Sequence, residues 1–155
     1  MMKKLVAIIL VVFIFFGISC MSADAASRFG VRVGTYNDMD DFFIGAELLN
    51  RVGNRVYFNP NFEYVLVDNF TYFTANADFT YNFLLRRSAA FMWIGGGAGL
   101  AYIDPEGQAD ANTELALNLL FGLGLDLRST ITPYIQGKFI LGDLDEFVLA
   151  FGIRF

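Results

Sequence analysis

Histidine is absent from the 155 residues. That removes the usual base for a serine nucleophile. Cysteine occurs once, at Cys20. Everything after it must fold without a disulfide, even in an oxidising compartment. Charge is scarce as well. Only 17% of residues are charged, against 55% hydrophobic and 17% aromatic. A soluble domain with that much apolar material would need a charged skin, and too few charges are present to make one. Past residue 25 no segment carries a convincing 3.6-residue period, so helices are not expected to organise the fold.

The N-terminal stretch stands apart. In "MMKKLVAIILVVFIFFGISCMSADAAS", Lys3 and Lys4 precede an apolar run from Leu5 to Ile18, and Ala23-Asp24-Ala25 forms an A-x-A site. This layout predicts a secretory signal peptide over 1–25, cleaved to leave one domain over 26–155. The run is shorter than the roughly 20 residues a spanning helix needs. A retained helical anchor is the alternative. A further one is that "GISC" partly resembles a bacterial lipobox, with Cys20 lipidated as the new N-terminus; Gly17 stands where that pattern has leucine. Loss of Lys3, Lys4 and Asp24 shifts the formal charge from −5 to −6. An acidic chain is poorly suited to nucleic acid.

The remaining sequence has a period of two, interrupted by turn residues. A first strand is expected over Arg28–Tyr36, with Phe29, Val31, Val33 and Thr35 on one face. A second, Phe42–Asn50, sets Phe42, Ile44, Ala46 and Leu48 against Glu47. The third, Arg55–Val67, and the fourth, Thr71–Leu84, alternate aromatic and small residues with Asn59, Asn61, Glu63 and then Thr74, Asn76, Asp78. The fifth, Ala90–Ile103, is glycine-rich; Met92, Ile94, Ala98, Leu100 and Tyr102 are assigned outward. The sixth, Thr113–Leu127, has a leucine-rich face opposite Asn118, Gly122, Gly124 and Asp126. The seventh is Ile131–Leu141, and the eighth is the closing "DEFVLAFGIRF".

Strands of about 9–11 residues are long enough to cross a bilayer at their tilt. Their apolar faces are nearly uncharged, while the other faces mix Gly, Asn, Thr, Gln and single charges. A soluble barrel would have the opposite arrangement. In lipid every backbone group must be bonded within the protein, which a closed barrel achieves. The predicted fold class is therefore all-β: a closed eight-stranded antiparallel up-and-down transmembrane β-barrel, preceded by a cleaved signal peptide. An even strand count puts both termini on one side. The loops after strands one, three, five and seven then hold Asp38, Asp40, Asp41, Asp68, Asp104, Glu106, Asp110, Glu114, Asp143, Asp145 and Glu146, and no base. The opposite turns hold Arg51, Arg55, Arg86, Arg87 and Arg128, and no acid.

The ending, with Phe147, Leu149, Phe151, Ile153 and Phe155 on one face, resembles the C-terminal signature of outer-membrane barrels, in which a terminal aromatic follows alternating apolar residues. The whole of 26–155 resembles the small eight-stranded OmpA/OmpX-type barrel superfamily, by architecture and without a subfamily motif. The resemblance implies a bacterial outer-membrane location, insertion by the barrel-assembly machinery, and contact with lipopolysaccharide and phospholipid. No cofactor is implied. The likeness leaves any surface ligand unknown.

Eight strands enclose a space that side chains can fill. The expected lumen charges are Arg32, Lys138 and Arg154 against Glu47, Glu63, Asp78 and Asp126. Pairing is expected, because lone buried charges are costly. Arg32 and Glu47 lie equidistant from a turn near residue 39 or 40 and are predicted to pair across strands. The structural reading is a plugged barrel with a structural or surface-interaction role. The alternatives are a narrow ion or solute channel and a secreted lipocalin-like binding barrel. The latter would require an apolar lumen.

Catalysis has little support. Outer-membrane lipid A deacylases and phospholipases use Ser with His, and Ser27, Ser88 and Ser129 fall near strand ends. Glu63 with Asp78 could do acid–base work, but lumen pairing is the simpler role. "GGGAGL" at 95–100 misses the dinucleotide fingerprint, since Leu100 occupies its last glycine position and no helix follows. Its glycines are expected to mark bends or to make room for neighbouring aromatics. Asp104, Glu106 and Asp110 could offer oxygens to a divalent cation at the outer rim, without the spacing of a calcium loop. Such cations would let an acidic rim sit in an anionic leaflet. Asn69 heads a glycosylation sequon by pattern only.

Overall fold

The computed structural model describes residues 27–38, 40–67, 70–85, 88–105, 112–127, 130–142 and 145–155. Their backbone forms β1 (Arg28–Tyr36), β2 (Asp41–Arg51), β3 (Val56–Leu66), β4 (Phe70–Leu84), β5 (Ala90–Pro105), β6 (Asn112–Leu125), β7 (Thr132–Leu141) and β8 (Glu146–Arg154). Each strand pairs antiparallel with its neighbours in sequence. β8 returns to pair with β1, and the sheet closes into an up-and-down barrel without an edge. Ser27 and Phe155 lie at the same end, where the Phe155 N–H donates to the Phe29 carbonyl at 2.8 Å. This is called the terminal end below, and the opposite one the far end.

Alternation decides which way each side chain points. On β6, Leu117 is 59% exposed and the adjacent Asn118 only 2%. The same inversion runs around the whole barrel. Val31, Val33, Ile44, Phe62, Phe79, Ile94, Leu119, Phe139 and Phe151 point outward, while Arg32, Glu47, Asn61, Glu63, Asn76, Asp78 and Lys138 are buried. An apolar surface of this extent greatly exceeds the few-hundred-Å² patches that soluble monomers tolerate. Its solvent is hydrocarbon. Outward rings also pack on one another, as in Phe73 on Tyr102 at 4.8 Å and Phe139 on Phe147 at 4.9 Å between centroids.

The strands depart from the sequence expectation at their ends. β3 starts at Val56, because Arg55 adopts φ 64° in the preceding turn. β5 continues to Pro105, and β6 stops at Leu125. Inside β3, Pro60 has no N–H to give, and the β2–β3 ladder is broken between the Glu47–Asn61 and Asn50–Phe58 pairs. Asn59 repairs the gap with its side chain, donating from Nδ2 to the Leu48 carbonyl at 3.1 Å. An orphaned carbonyl would be costly beside lipid.

Glycines set the inner width. Gly122, Gly124 and Gly152 lie beneath the rings of Trp93, Phe91 and Tyr134, each pair directly opposite in register. Gly97 and Gly99 of β5 do something different from the expected accommodation of aromatics. A Cβ on either would collide with the polar side chain of Asp78 or Asn76. The run is strand interior, in keeping with its failure to match a phosphate-binding loop.

Candidate functional site: the ion-paired lumen

The inward side chains form three tiers along the barrel axis. At the far end Tyr36, Phe43, Val65, Tyr72, Ile140, Val148 and Ala150 make an apolar cluster. Tyr36 meets the edges of Phe43 and Tyr72, with ring centroids 5.5 and 5.7 Å apart. At the terminal end Phe91, Trp93 and Tyr134 make a second cluster. The charged side chains make the third group, and Arg154 among them stacks on Trp93 and Tyr134 of the terminal-end cluster.

Glu63 is the first hub. Its Oε1 lies 2.7 Å from Arg32 Nη2, and its Oε2 lies 2.7 Å from Lys138 Nζ. Tyr36 Oη donates to Oε2 at 2.5 Å and Thr74 Oγ1 at 3.1 Å. Glu47 is the second hub. Arg154 approaches it with Nε at 2.7 Å and Nη2 at 3.3 Å, and Asn59 Nδ2 donates at 3.0 Å. Arg32 joins the hubs, with Nη1 3.7 Å from Glu47 Oε2. Asp78 is held by neutral donors, Asn61 Nδ2 at 2.7 Å and Asn118 Nδ2 at 2.9 Å. Asn61 also accepts from Arg32 and from Asn76, linking the carboxamides to the charged hubs. Within this network three buried cations therefore face three buried carboxylates, while a fourth buried carboxylate, Glu146, lies at the far rim. Both oxygens of Glu63 are engaged, so this arrangement neutralises charge within the span.

Six of the seven residues read as lumen charges lie in this network: Arg32, Glu47, Glu63, Asp78, Lys138 and Arg154. Asp126 does not. β6 ends one residue earlier, and Asp126 is exposed at the terminal end, its N–H bonded to the Ala89 carbonyl at 2.7 Å. Among the described residues, the basic end thus carries one acid beside Arg28, Arg51 and Arg55. Arg32 and Glu47 meet inside the barrel as expected, at 3.7 Å, but not as directly opposed residues. The register sets Arg32 opposite Gly45 and Glu47 opposite Gly30. The two side chains meet only diagonally, and each has a nearer partner of opposite charge: Glu63 for Arg32 and Arg154 for Glu47. Glu63 and Asp78 do not act as a pair, since each is held by its own donors.

At the far end, the described charges are Asp38, Asp40, Asp41, Asp104, Glu114, Asp145 and Glu146, with no base among the described residues. Glu146 points inward at the rim and accepts the Asp38 N–H at 2.7 Å. Asp104 accepts from Tyr102 Oη at 3.3 Å. Glu106 and Asp110, its expected companions in a cation site, lie outside the described residues. So do the signal peptide with Cys20, the sequon asparagine Asn69, and Asp68, Arg86, Arg87, Arg128, Ser129 and Asp143. Phe147, Leu149, Phe151, Ile153 and Phe155 all lie on the outer face of the last strand, with Val148, Ala150, Gly152 and Arg154 inside.

The sequence reading did not single out the residues that cap the network. Tyr36, Phe43, Trp93 and Tyr134 occupy inward positions by parity, and that was the available signal. Trp93 Nε1 donates to Gln136 Oε1 at 3.1 Å, which satisfies its one polar atom.

Neither a family model nor a curated protein matches the sequence. Solved structures share its fold. The N-terminal β-barrel domain of Pseudomonas aeruginosa OprF aligns with a TM-score of 0.69 at 13% identity, over 83% of this chain and 96% of that one. Neisserial surface protein A aligns at 0.60 and 14%, over 83% and 93%. The outer membrane enzyme PagL aligns at 0.50 and 11%, over 82% and 96%. At such identities the common property is architecture, that of the small eight-stranded outer-membrane β-barrel.

Proposed function

We propose that this chain is a structural component of a bacterial outer membrane, a closed barrel whose lumen is plugged by its own side chains. The inside-out distribution carries the reading: an uncharged apolar exterior around a buried, balanced set of ions. A lipocalin-like carrier requires the reverse, an apolar lumen in a polar shell. The aromatic and aliphatic tiers at both ends of the charged one support a plugged lumen over a channel, because an ion would have to shed water to pass them. No catalytic activity is included. PagL is an enzyme by name, but this chain has no histidine and its buried carboxylates are bound to donors.

The orientation in this reading places the terminal end in the periplasm. Exposed Arg51 and Arg55 then sit at the inner leaflet, where anionic phospholipid headgroups suit them. The acidic far end faces lipopolysaccharide, and the outward residues of β8 are what the assembly machinery reads. The test is expression of the full chain in a Gram-negative host, followed by electrophoresis of the isolated outer membrane with and without boiling. A membrane-bound band that changes mobility on boiling, with no unitary conductance in planar bilayers, is the expected result. A soluble periplasmic band without a shift would sink the barrel assignment, and steady conductance would replace the plugged lumen with a channel.

A further inference from the structure

The barrel closes where β8 meets β1, and this seam differs from the other ladders. It joins the two strands farthest apart in sequence, so no short turn ties them together. Within the seam Arg154 of β8 is opposite Gly30 of β1, and Gly30 is in turn opposite Glu47 of β2. The glycine leaves the inner wall bare between the two charged side chains. Arg154 crosses it and engages Glu47, with Nε 2.7 Å from Oε1 and Nη2 3.3 Å from Oε2. A Cβ on Gly30 would stand 2.7 Å from Glu47 Oε1 and 3.2 Å from Arg154 Cγ, inside the space the pair occupies.

Arg154 is also gripped by rings from the adjacent β7 and from β5. Its guanidinium carbon lies 4.2 Å from the Tyr134 ring centroid and 4.9 Å from that of Trp93. Both rings have room because Gly152 and Gly122 lie beneath them. Such stacking suits a planar, weakly hydrated cation. Glu47 for its part is steadied by Asn59 and by Arg32, the other cation within reach.

We propose that the Arg154–Glu47 pair, passing over Gly30 and backed by Trp93 and Tyr134, is a latch that holds the barrel shut at its β1–β8 seam. The pair bridges β8 to β2 across the intervening β1, so it can form only when the seam is closed. An open seam leaves Arg154 and Glu47 without each other in a poorly hydrated lumen. Closure and charge neutralisation are thereby one event. The proposal rests on the membrane-barrel reading given above.

The test is hydrogen exchange on the full chain folded in detergent micelles, read strand by strand, in wild type, Arg154→Gln, Gly30→Ala and Asp78→Asn. Arg154→Gln should speed exchange of the β1–β8 amides by about tenfold or more while β4–β5 stays within about twofold of wild type. Gly30→Ala keeps both charges but obstructs their meeting, and should give the same pattern. Asp78→Asn alters the lumen away from the seam and should leave β1–β8 as in wild type. Equal loosening of every ladder by Arg154→Gln, or no loosening, would overturn the latch. Should Arg154→Gln and Gly30→Ala both fail to yield the heat-shifted band while Asp78→Asn yields it, the seam has not closed, and the latch is supported. If Asp78→Asn fails too, the pair is not special and the proposal falls. A wild-type chain with no heat-shifted band would refute the membrane-barrel reading instead.

Discussion

Lys138 shows what a buried charge needs. Its ammonium is within 2.7 Å of Glu63 and 5.9 Å from the centroid of the Tyr36 ring. Lys138→Met keeps the stem volume and removes the charge, leaving the central network with three carboxylates against two cations. Breaking a buried pair from one side costs about 3–5 kcal/mol, mostly the uncompensated partner. Lys138→Met should therefore lower the urea midpoint of the micelle-folded protein markedly. Adding Glu63→Gln restores two against two and should recover part of the loss. A double variant as unstable as the sum of its parts would show that Glu63 and Lys138 contribute independently. The sequence made Arg32, Glu47, Glu63, Lys138 and Arg154 visible as lone charges among Gly, Asn and Thr. Of their contacts only that between Arg32 and Glu47 was visible, and the nearer partner of each was not. A one-residue error in the assumed turn centre displaces a pairing by two, which is why Arg32 meets Gly45 in the ladder and finds its nearest carboxylate on β3.

On the scale of a strand, period-two alternation was decisive. It fixed the faces of β1 to β8, including the glycine-rich β5, because a strand with one face in lipid tolerates no slip in parity. Height along the strand carried no such signal. A ring at an inward position looks the same in sequence whether it caps the lumen or lies at its middle, so the tiers of Tyr36 with Phe43 and of Trp93 with Tyr134 were not foreseen. Strand ends were also blurred. Asp126 fits the inward parity of β6, yet the strand stops before it. Two strand-level outcomes follow. Leu119→Arg, at the outward middle of β6, should destabilise by about 2–4 kcal/mol in bilayers, as a guanidinium at the hydrocarbon midplane does. In a water-facing strand the same change would fall within about 0.5 kcal/mol, and that result would contradict the inside-out fold. In β3, Asn59→Ala should cost about 1–3 kcal/mol by orphaning the Leu48 carbonyl. Pro60→Ala supplies an N–H at the gap, so Asn59→Ala should cost less in that background. Strict additivity in the unfolding cycle would mean that Asn59 does not substitute for the missing donor.

For the molecule as a whole, the closed sheet supplies a rigid frame and the lumen a balanced set of charges. Three cations and three carboxylates make up the central network, each held in place by hydrogen bonds or an ion pair. An electric field does work only on net charge that moves, about 2.3 kcal/mol per elementary charge carried across 100 mV. A neutral, immobilised set has almost no gating charge to offer. Voltage steps applied across a bilayer containing the protein should accordingly produce no displacement current and no steep change of state. Voltage-dependent transitions would mean that part of the network travels along the axis. Fixed in this way, the ion-paired lumen makes the barrel electrically inert, a wall element indifferent to the potential of the membrane it occupies.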